Sequence, residues 1–250
     1  MSATSGVALL EIDLPTDNDG ASAGLRGILG IPAGDGPWPA VVVVHEIFGI
    51  DDEMRKQVEY LASLGYLALM PDLFSAGGFR RCISATMRSL SSGTGAAYVD
   101  IEVARDALLA RSDCTGAIGV IGFCMGGGFA LMAANRGFDA AAVNYGMLPK
   151  DLDLAVAGAC PVVTSYGGSD VTLKGATAKL DAALTRQGVP HDSKEYPGAG
   201  HVFMNDRLSG PGWLRPIVRT LNFGPKPEAA ADAWRRIDDF FTRYLVTPER

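Results

Sequence analysis

The chain has 250 residues, of which 48% are hydrophobic and 20% are charged, and this is the size and balance of one globular α/β domain. The formal net charge of −6 and the lack of a basic stripe argue against a nucleic-acid-binding protein, because neutralising phosphates requires clustered Lys and Arg.

The N-terminal part of the chain predicts strands followed by a helix. Residues 1–13 contain no Lys or Arg, which argues against a signal peptide, and no apolar run is long enough to cross a bilayer. Strands are predicted at residues 7–13 and 24–31, as an antiparallel pair, and at 39–44 and 66–70. A helix is predicted at 52–65, where Met54, Val58 and Leu61 share one face.

The rest of the chain continues this alternation after an irregular stretch. Residues 72–96 are rich in Gly and Ser and are interpreted as an excursion over the sheet edge. Helices are predicted at 97–111, 127–135, 173–187 and 228–245, and strands at 116–121, 140–145, 161–166 and 191–196, the last of them a polar edge strand. The order predicts one α/β domain over residues 1–250, with a mostly parallel central sheet flanked by helices on both faces.

The stretch around Cys124 carries the strongest functional signal. Gly122, Cys124 and Gly126 have the spacing of a nucleophile elbow, in which a buried strand turns sharply into a helix, with Cys in place of Ser. The helix N-terminus should lower the pKa of the thiol and help to hold an oxyanion. The alternatives are a buried structural cysteine or a phosphate-binding glycine loop, although the Walker Lys and the dinucleotide G-x-G-x-x-G spacing are missing.

Asp170 and His201 follow Cys124 in the chain order of an α/β-hydrolase triad. Asp170 ends a Gly-Gly-Ser-Asp turn after a predicted strand, and His201 ends a glycine-rich loop after the next. Since catalytic groups gather at the carboxyl ends of parallel strands, His201 is predicted to take the thiol proton and Asp170 to hold its tautomer. Asp170 could instead cap a helix, and His201 could be a surface residue.

Glu46 follows the buried valine strand, where a carboxylate needs a partner. It is predicted to be a second proton partner for Cys124, or else half of an ion pair with an arginine. The backbone N–H groups of Ile47 and Met125 are predicted to form the oxyanion hole. No H-E-x-x-H follows His45, so neither a metal nor any other cofactor is predicted.

At these residues the chain resembles the dienelactone hydrolase family of α/β-hydrolases. The matching segments lie at 45–49, 64–66, 71–73, 122–127, 167–170 and 198–201, and the likeness extends from about residue 24 to residue 245. The resemblance implies a triad of Cys124, His201 and Asp170, and a Glu46 that helps the thiol to ionise when substrate binds. It also implies an enol-lactone substrate whose carboxylate is held by two arginines.

The substrate contacts match the family less well than the catalytic centre does. Asn205 stands where the family has one arginine, with Arg207 two positions later, and the other arginine corresponds to Arg80 or Arg81. These arginines could also be surface or structural residues. Candidate apolar contacts are Phe48, Phe79, Phe203 and Trp213, and the Pro- and Gly-rich segment 208–227 could roof the pocket.

Together these features predict a carboxymethylenebutenolidase-like hydrolase that forms a thioester on Cys124. Acyl transfer to an acceptor other than water is not separated from hydrolysis. The alternative is a non-hydrolytic ligand-binding or thiol-sensing protein on a hydrolase scaffold. The expected partner is a small-molecule ester or lactone, without nucleic acid or membrane, for a monomer or homodimer. The four cysteines form no C-x-x-C pair, which favours reduced thiols in the cytoplasm.

Overall fold

A central sheet organises the part of the chain that the computed structural model describes, residues 6–16, 18–207 and 223–247. Eight strands pair within these residues in the order β1-β2-β4-β3-β5-β6-β7-β8. β1 and β2 run antiparallel to their neighbours and the others are parallel. The strands are β1 (Ala8–Asp13), β2 (Arg26–Ile31), β3 (Trp38–Val44), β4 (Leu67–Pro71), β5 (Cys114–Phe123), β6 (Ala140–Asn144), β7 (Val162–Gly167) and β8 (His191–Tyr196).

Helices cover both faces of the sheet, which confirms the predicted fold class. One apolar cluster packs α1 (Asp52–Ser63) and α7 (Pro227–Phe241) against one face. The cluster on the other face includes α2 (Phe79–Ser92), α3 (Ala96–Leu109), α4 (Met125–Ala133), α5 (Leu152–Val156) and α6 (Ala176–Arg186). β3 passes between them with Val41 to Val44 completely buried, as expected for a β-branched run in a parallel sheet. No helix in the described residues is long and apolar enough to span a bilayer.

Two helices were not predicted from the sequence. The interpretation of 72–96 as an irregular excursion over the sheet edge is wrong, because α2 fills residues 79–92 and packs against α3 and α4. Gly78 and Gly93, with φ of 76° and 74°, bound this helix, and its many Ser residues hide its periodicity. The other is the short α5, whose N-cap is Asp151; the Asp151 carboxylate accepts a hydrogen bond from Leu154 N at 3.0 Å.

Asp100 on α3 fastens the loop that precedes β2. Its carboxylate is completely buried and accepts hydrogen bonds of 2.7 Å from both the backbone N and the hydroxyl of Ser22. We expect Asp100→Ala to lower the free energy of unfolding by about 1–3 kcal/mol, because it leaves the Ser22 N–H unpaired. Urea unfolding measures this difference.

The matched control for Asp100 is Asp106→Ala on the same helix. Asp106 is 55% exposed and pairs with the adjacent Arg105, so its removal should change the unfolding free energy by no more than about 1 kcal/mol. Equal losses in the two variants would contradict the role given to Asp100.

Candidate active site

Cys124 sits on a strained turn between β5 and α4. Its φ of 54° and ψ of −115° are unusual for a residue with a side chain. A Cβ on Gly122 would lie 1.9 Å from the Gly126 carbonyl oxygen, and a Cβ on Gly126 would lie 2.0 Å from that of Val44. Glycine at both positions therefore lets strand and helix meet, as the sequence predicts, and the turn lifts Cys124 above the sheet.

His201 lies between Cys124 and Asp170. Its Nε2 is 3.1 Å from Cys124 Sγ, and its Nδ1 is 2.6 Å from Asp170 Oδ2. Asp170 Oδ1 accepts from the backbone N of Thr172 at 2.9 Å and from its hydroxyl at 2.6 Å. Although burial opposes ionisation of Asp170, hydrogen bonds from His201 and Thr172 hold its pKa below the usual value. An ionised Asp170 accepts from Nδ1–H, which leaves Nε2 to accept the thiol proton.

The loops that carry Asp170 and His201 are held together by their backbones. Ser169 N donates to Ala199 O at 2.8 Å, and a Cβ on Gly167 would lie 2.4 Å from Gly200 O. Asp170 also closes its own turn, with its N donating to Gly167 O at 3.1 Å. This close approach sets the short distance between the carboxylate and the imidazole.

The resting thiol of Cys124 is held in its neutral form. Burial and the charge of Glu46 raise its pKa to about 12, against the opposing hydrogen bonds from the backbone N–H groups of Met125 and Ile47. The Met125 N–H at the helix N-terminus lowers this pKa, as predicted, but desolvation and the nearby carboxylate outweigh it, so the net shift is upward. The N–H groups of Ile47 and Met125 both donate to the sulfur.

Glu46 lies in the interior at the end of β3, only 2% exposed. Asn205 Nδ2 donates to its two carboxylate oxygens at 3.1 and 3.2 Å. His45 supports the backbone here, since its Nδ1 donates to Glu46 O at 2.7 Å and its Nε2 accepts from Leu73 N at 3.2 Å. Burial lowers the pKa of His45, which fits this neutral structural role. Sequence reasoning treated Asn205 only as a departure from the family and missed it as a partner of Glu46.

The residues predicted to contact substrate lie in different environments, and not all of them line a pocket. Phe48 is half-buried and faces Phe79 of α2, with ring centroids 6.3 Å apart. Phe203 is completely buried in the core, so the structure does not place it as a pocket wall. Arg207 donates through Nε to Glu53 Oε1 at 2.9 Å, an anchor to α1.

Arg80 and Arg81 are both exposed on the first turn of α2. Arg81 lines a cleft of about 280 Å³ between α2 and α3, and this cleft contains none of the residues around Cys124. Trp213 lies outside the described residues, as do residues 208–222 of the segment 208–227 that was predicted to roof the pocket.

We expect Glu46→Gln to lower the pKa of the Cys124 thiol, because it removes a negative charge that opposes the thiolate. Alkylation by iodoacetamide at pH 8 should then be about tenfold faster at Cys124, since only the thiolate reacts. Peptide mass spectrometry measures the rate. Cys160 is the internal control, because its pKa is also raised to about 12 but by burial and Asp139. An unchanged or slower rate at Cys124 would contradict the electrostatic link.

Comparisons with known proteins identify the family to which this chain belongs. The model of the dienelactone hydrolase family matches residues 25–245. A Methylorubrum extorquens protein, provisionally named carboxymethylenebutenolidase, is 30% identical over 97% of this chain and 83% of its own length. A Saccharolobus solfataricus protein of the same name is 28% identical over 94% of this chain and 99% of its own length.

Solved structures show the same fold. The chain superimposes with a TM-score of 0.79 and 24% identity on a dienelactone hydrolase-like promiscuous phosphotriesterase from metagenomic libraries, covering 96% of this chain and 99% of that one. The chain therefore belongs to the dienelactone hydrolase family and is a hydrolase of the α/β-hydrolase fold.

Proposed function

We propose that this enzyme hydrolyses an ester or lactone with Cys124 as nucleophile, His201 as general base and Asp170 as the group that orients the imidazole. The observation that carries the proposal is the series of two contacts, 3.1 Å from Sγ to Nε2 and 2.6 Å from Nδ1 to the carboxylate. All three side chains follow the carboxyl ends of parallel strands, Cys124 after β5, Asp170 after β7 and His201 after β8, where the substrate would bind.

The reaction begins with transfer of the thiol proton to His201 Nε2 while sulfur attacks the carbonyl carbon. The oxyanion accepts hydrogen bonds from the N–H groups of Ile47 and Met125, which already point at the sulfur. When the carbonyl re-forms, the C–O bond to the alkoxide breaks, and His201 protonates the alkoxide. Water, deprotonated by His201, then attacks the thioester, and the C–S bond breaks to release the acid and the thiol.

The raised thiol pKa bears on the first step. With a pKa of about 12, little thiolate is present at neutral pH, so deprotonation has to accompany substrate binding and attack. Glu46 is the candidate second proton partner, since its charge acts on the thiol. The same pKa disfavours a thiol sensor, because sensor cysteines are reactive through a low pKa and exposure.

The substrate class follows from the relatives rather than from the described residues. The carboxymethylenebutenolidase names of the relatives favour an enol-lactone, and Phe48 with Phe79 would offer it an apolar wall. Comparing kcat/KM for a carboxylate-bearing enol-lactone with that for its methyl ester tests whether an arginine binds the carboxylate. Of the candidates, Arg80, Arg81 and Arg207, the last is already engaged by Glu53.

The acyl-enzyme is the intermediate that distinguishes this mechanism. Acid quenching during turnover of an activated ester should trap a mass increase of one acyl group on the peptide that contains Cys124. Cys160→Ala should give the same adduct, and Cys124→Ala should give none. Rapid turnover with no adduct on Cys124 at any quench time, or an adduct on another residue, would rule out the proposal.

A further inference from the structure

Tyr145 adopts a backbone conformation that a large side chain rarely takes. Its φ is 41°, in the left-handed region, directly after β6. The chain is constrained on both sides, because Tyr145 N donates to Ser165 O at 2.8 Å and a Cβ on the next residue, Gly146, would lie 2.4 Å from Gly127 C. Such strain persists where the surrounding structure enforces it, and it often marks a functional position.

The strained turn directs the Tyr145 ring towards the catalytic residues. The side chain is completely buried and meets the His201 ring edge-on, with centroids 5.3 Å apart. Phe203 packs on it at 5.6 Å, which explains why Phe203 lies in the core. Tyr145 is therefore held by packing between the end of β6 and the loop that carries His201.

The phenol hydroxyl of Tyr145 lies in the polar group around Glu46. It is 3.5 Å from Asn205 Oδ1, a long contact, and it donates a hydrogen bond to the Glu46 carboxylate. Burial raises the pKa of this phenol well above its usual value, and the Glu46 charge raises it further, so it is always a donor. Asn205 and Tyr145 thus both supply donors to a carboxylate that acts on the thiol.

We propose that Tyr145 is a positioning residue that holds the Glu46 carboxylate and screens its charge from Cys124, so that it sets how readily the nucleophile ionises. The inference rests on the proposed role of Cys124. A donor that shares the carboxylate's negative charge weakens its repulsion of a thiolate beside it. Without the phenol, Glu46 keeps its charge but acts on the thiol with less screening.

A double-mutant cycle tests this link. Tyr145→Phe removes only the hydroxyl and keeps the ring packing on His201 and Phe203. We expect iodoacetamide to alkylate Cys124 about three- to tenfold more slowly at pH 8, which corresponds to a rise of about 0.5–1 in the thiol pKa. In a Glu46→Gln background the same substitution should leave the rate unchanged, because the amide carries no charge to be screened.

Tyr66→Phe is the matched control. Tyr66 is 2% exposed and its hydroxyl donates to Asp238 Oδ1 at 3.0 Å, but it lies at the opposite end of the sheet, just before β4 begins. Tyr66→Phe should leave the rate of Cys124 alkylation unchanged. The thermal unfolding midpoints of all variants show whether they fold.

The full pH profile of alkylation, read for Cys124 by peptide mass spectrometry, gives the decisive outcome. The proposal is supported if Tyr145→Phe raises the pKa of the Cys124 thiol in the wild-type background and leaves it unchanged in the Glu46→Gln background. The proposal is overturned if Tyr145→Phe raises this pKa equally in both backgrounds, leaves it unchanged in the wild-type background, or lowers it. Alkylation needs no turnover, so this result stays separate from the acyl-enzyme experiment, whose failure would reject Cys124 as nucleophile instead.

Discussion

Cys124→Ala is expected to lower kcat/KM for ester hydrolysis by about 10⁴–10⁶-fold, because it removes the sulfur on which the proposed covalent intermediate forms. The residual rate would come from the Ile47 and Met125 N–H groups and from substrate binding. The measurement is the rate with an activated ester, with protein purified away from any wild-type enzyme.

Cys160→Ala is the chemical control for that variant. Cys160 is a half-buried thiol whose pKa is also raised to about 12, and it lies at the start of β7, away from the catalytic loops. Its replacement should leave kcat/KM within about twofold of wild type, as expected for a site far from the chemistry. Retention of more than about a tenth of the activity in Cys124→Ala would show that the nucleophile is elsewhere.

Asp170→Asn is expected to lower kcat by about 10⁴-fold, the size that such a replacement has in a Ser-His-Asp triad. Two Thr172 donors face Oδ1, so the oxygen of the introduced amide would stay on that side and its NH₂ would turn to His201 Nδ1. The imidazole would then carry its proton on Nε2, facing the sulfur, and could not accept the thiol proton. Kinetics under substrate saturation measure the loss.

The protein contains a second His–Asp pair that serves as a control. Asp181 Oδ1 lies 3.2 Å from His191 Nε2, on the outer edge of the sheet and apart from Cys124. Asp181→Asn should change kcat by less than about twofold, which separates the tautomer effect at Asp170 from a general loss of His–Asp pairing. Similar kcat values for the two variants would argue against a catalytic Asp170.

The sequence predicted the fold well where a local signal decides the structure. The valine run of β3 indicates a strand buried on both faces, as the structure has it. Glycine is required at 122 and 126 because a Cβ at either position would collide with the backbone. The helix α2 escaped prediction because its serines and flanking glycines carry no clear period, and its helical form depends on packing against α3 and α4.

The residues of the candidate site were also predictable where a local pattern or the chain order decides their position. Chain order and loop position were enough to select Cys124, Asp170 and His201, because the carboxyl ends of parallel strands must meet at one edge of the sheet. Cytoplasmic location, the monomeric or homodimeric state and the single domain over the whole chain stay predictions from the sequence.

Tertiary structure alone decided how the thiol ionises and what surrounds it. The helix N-terminus lowers the pKa of Cys124 as the sequence predicts, but burial and Glu46, 78 positions away in the sequence, raise it by more, and neither effect was predicted. Asn205 and Tyr145 became visible as partners of Glu46 for the same reason. The sequence determines the residue types and their order, whereas desolvation and charge–charge energies depend on distances that are set only when the chain folds.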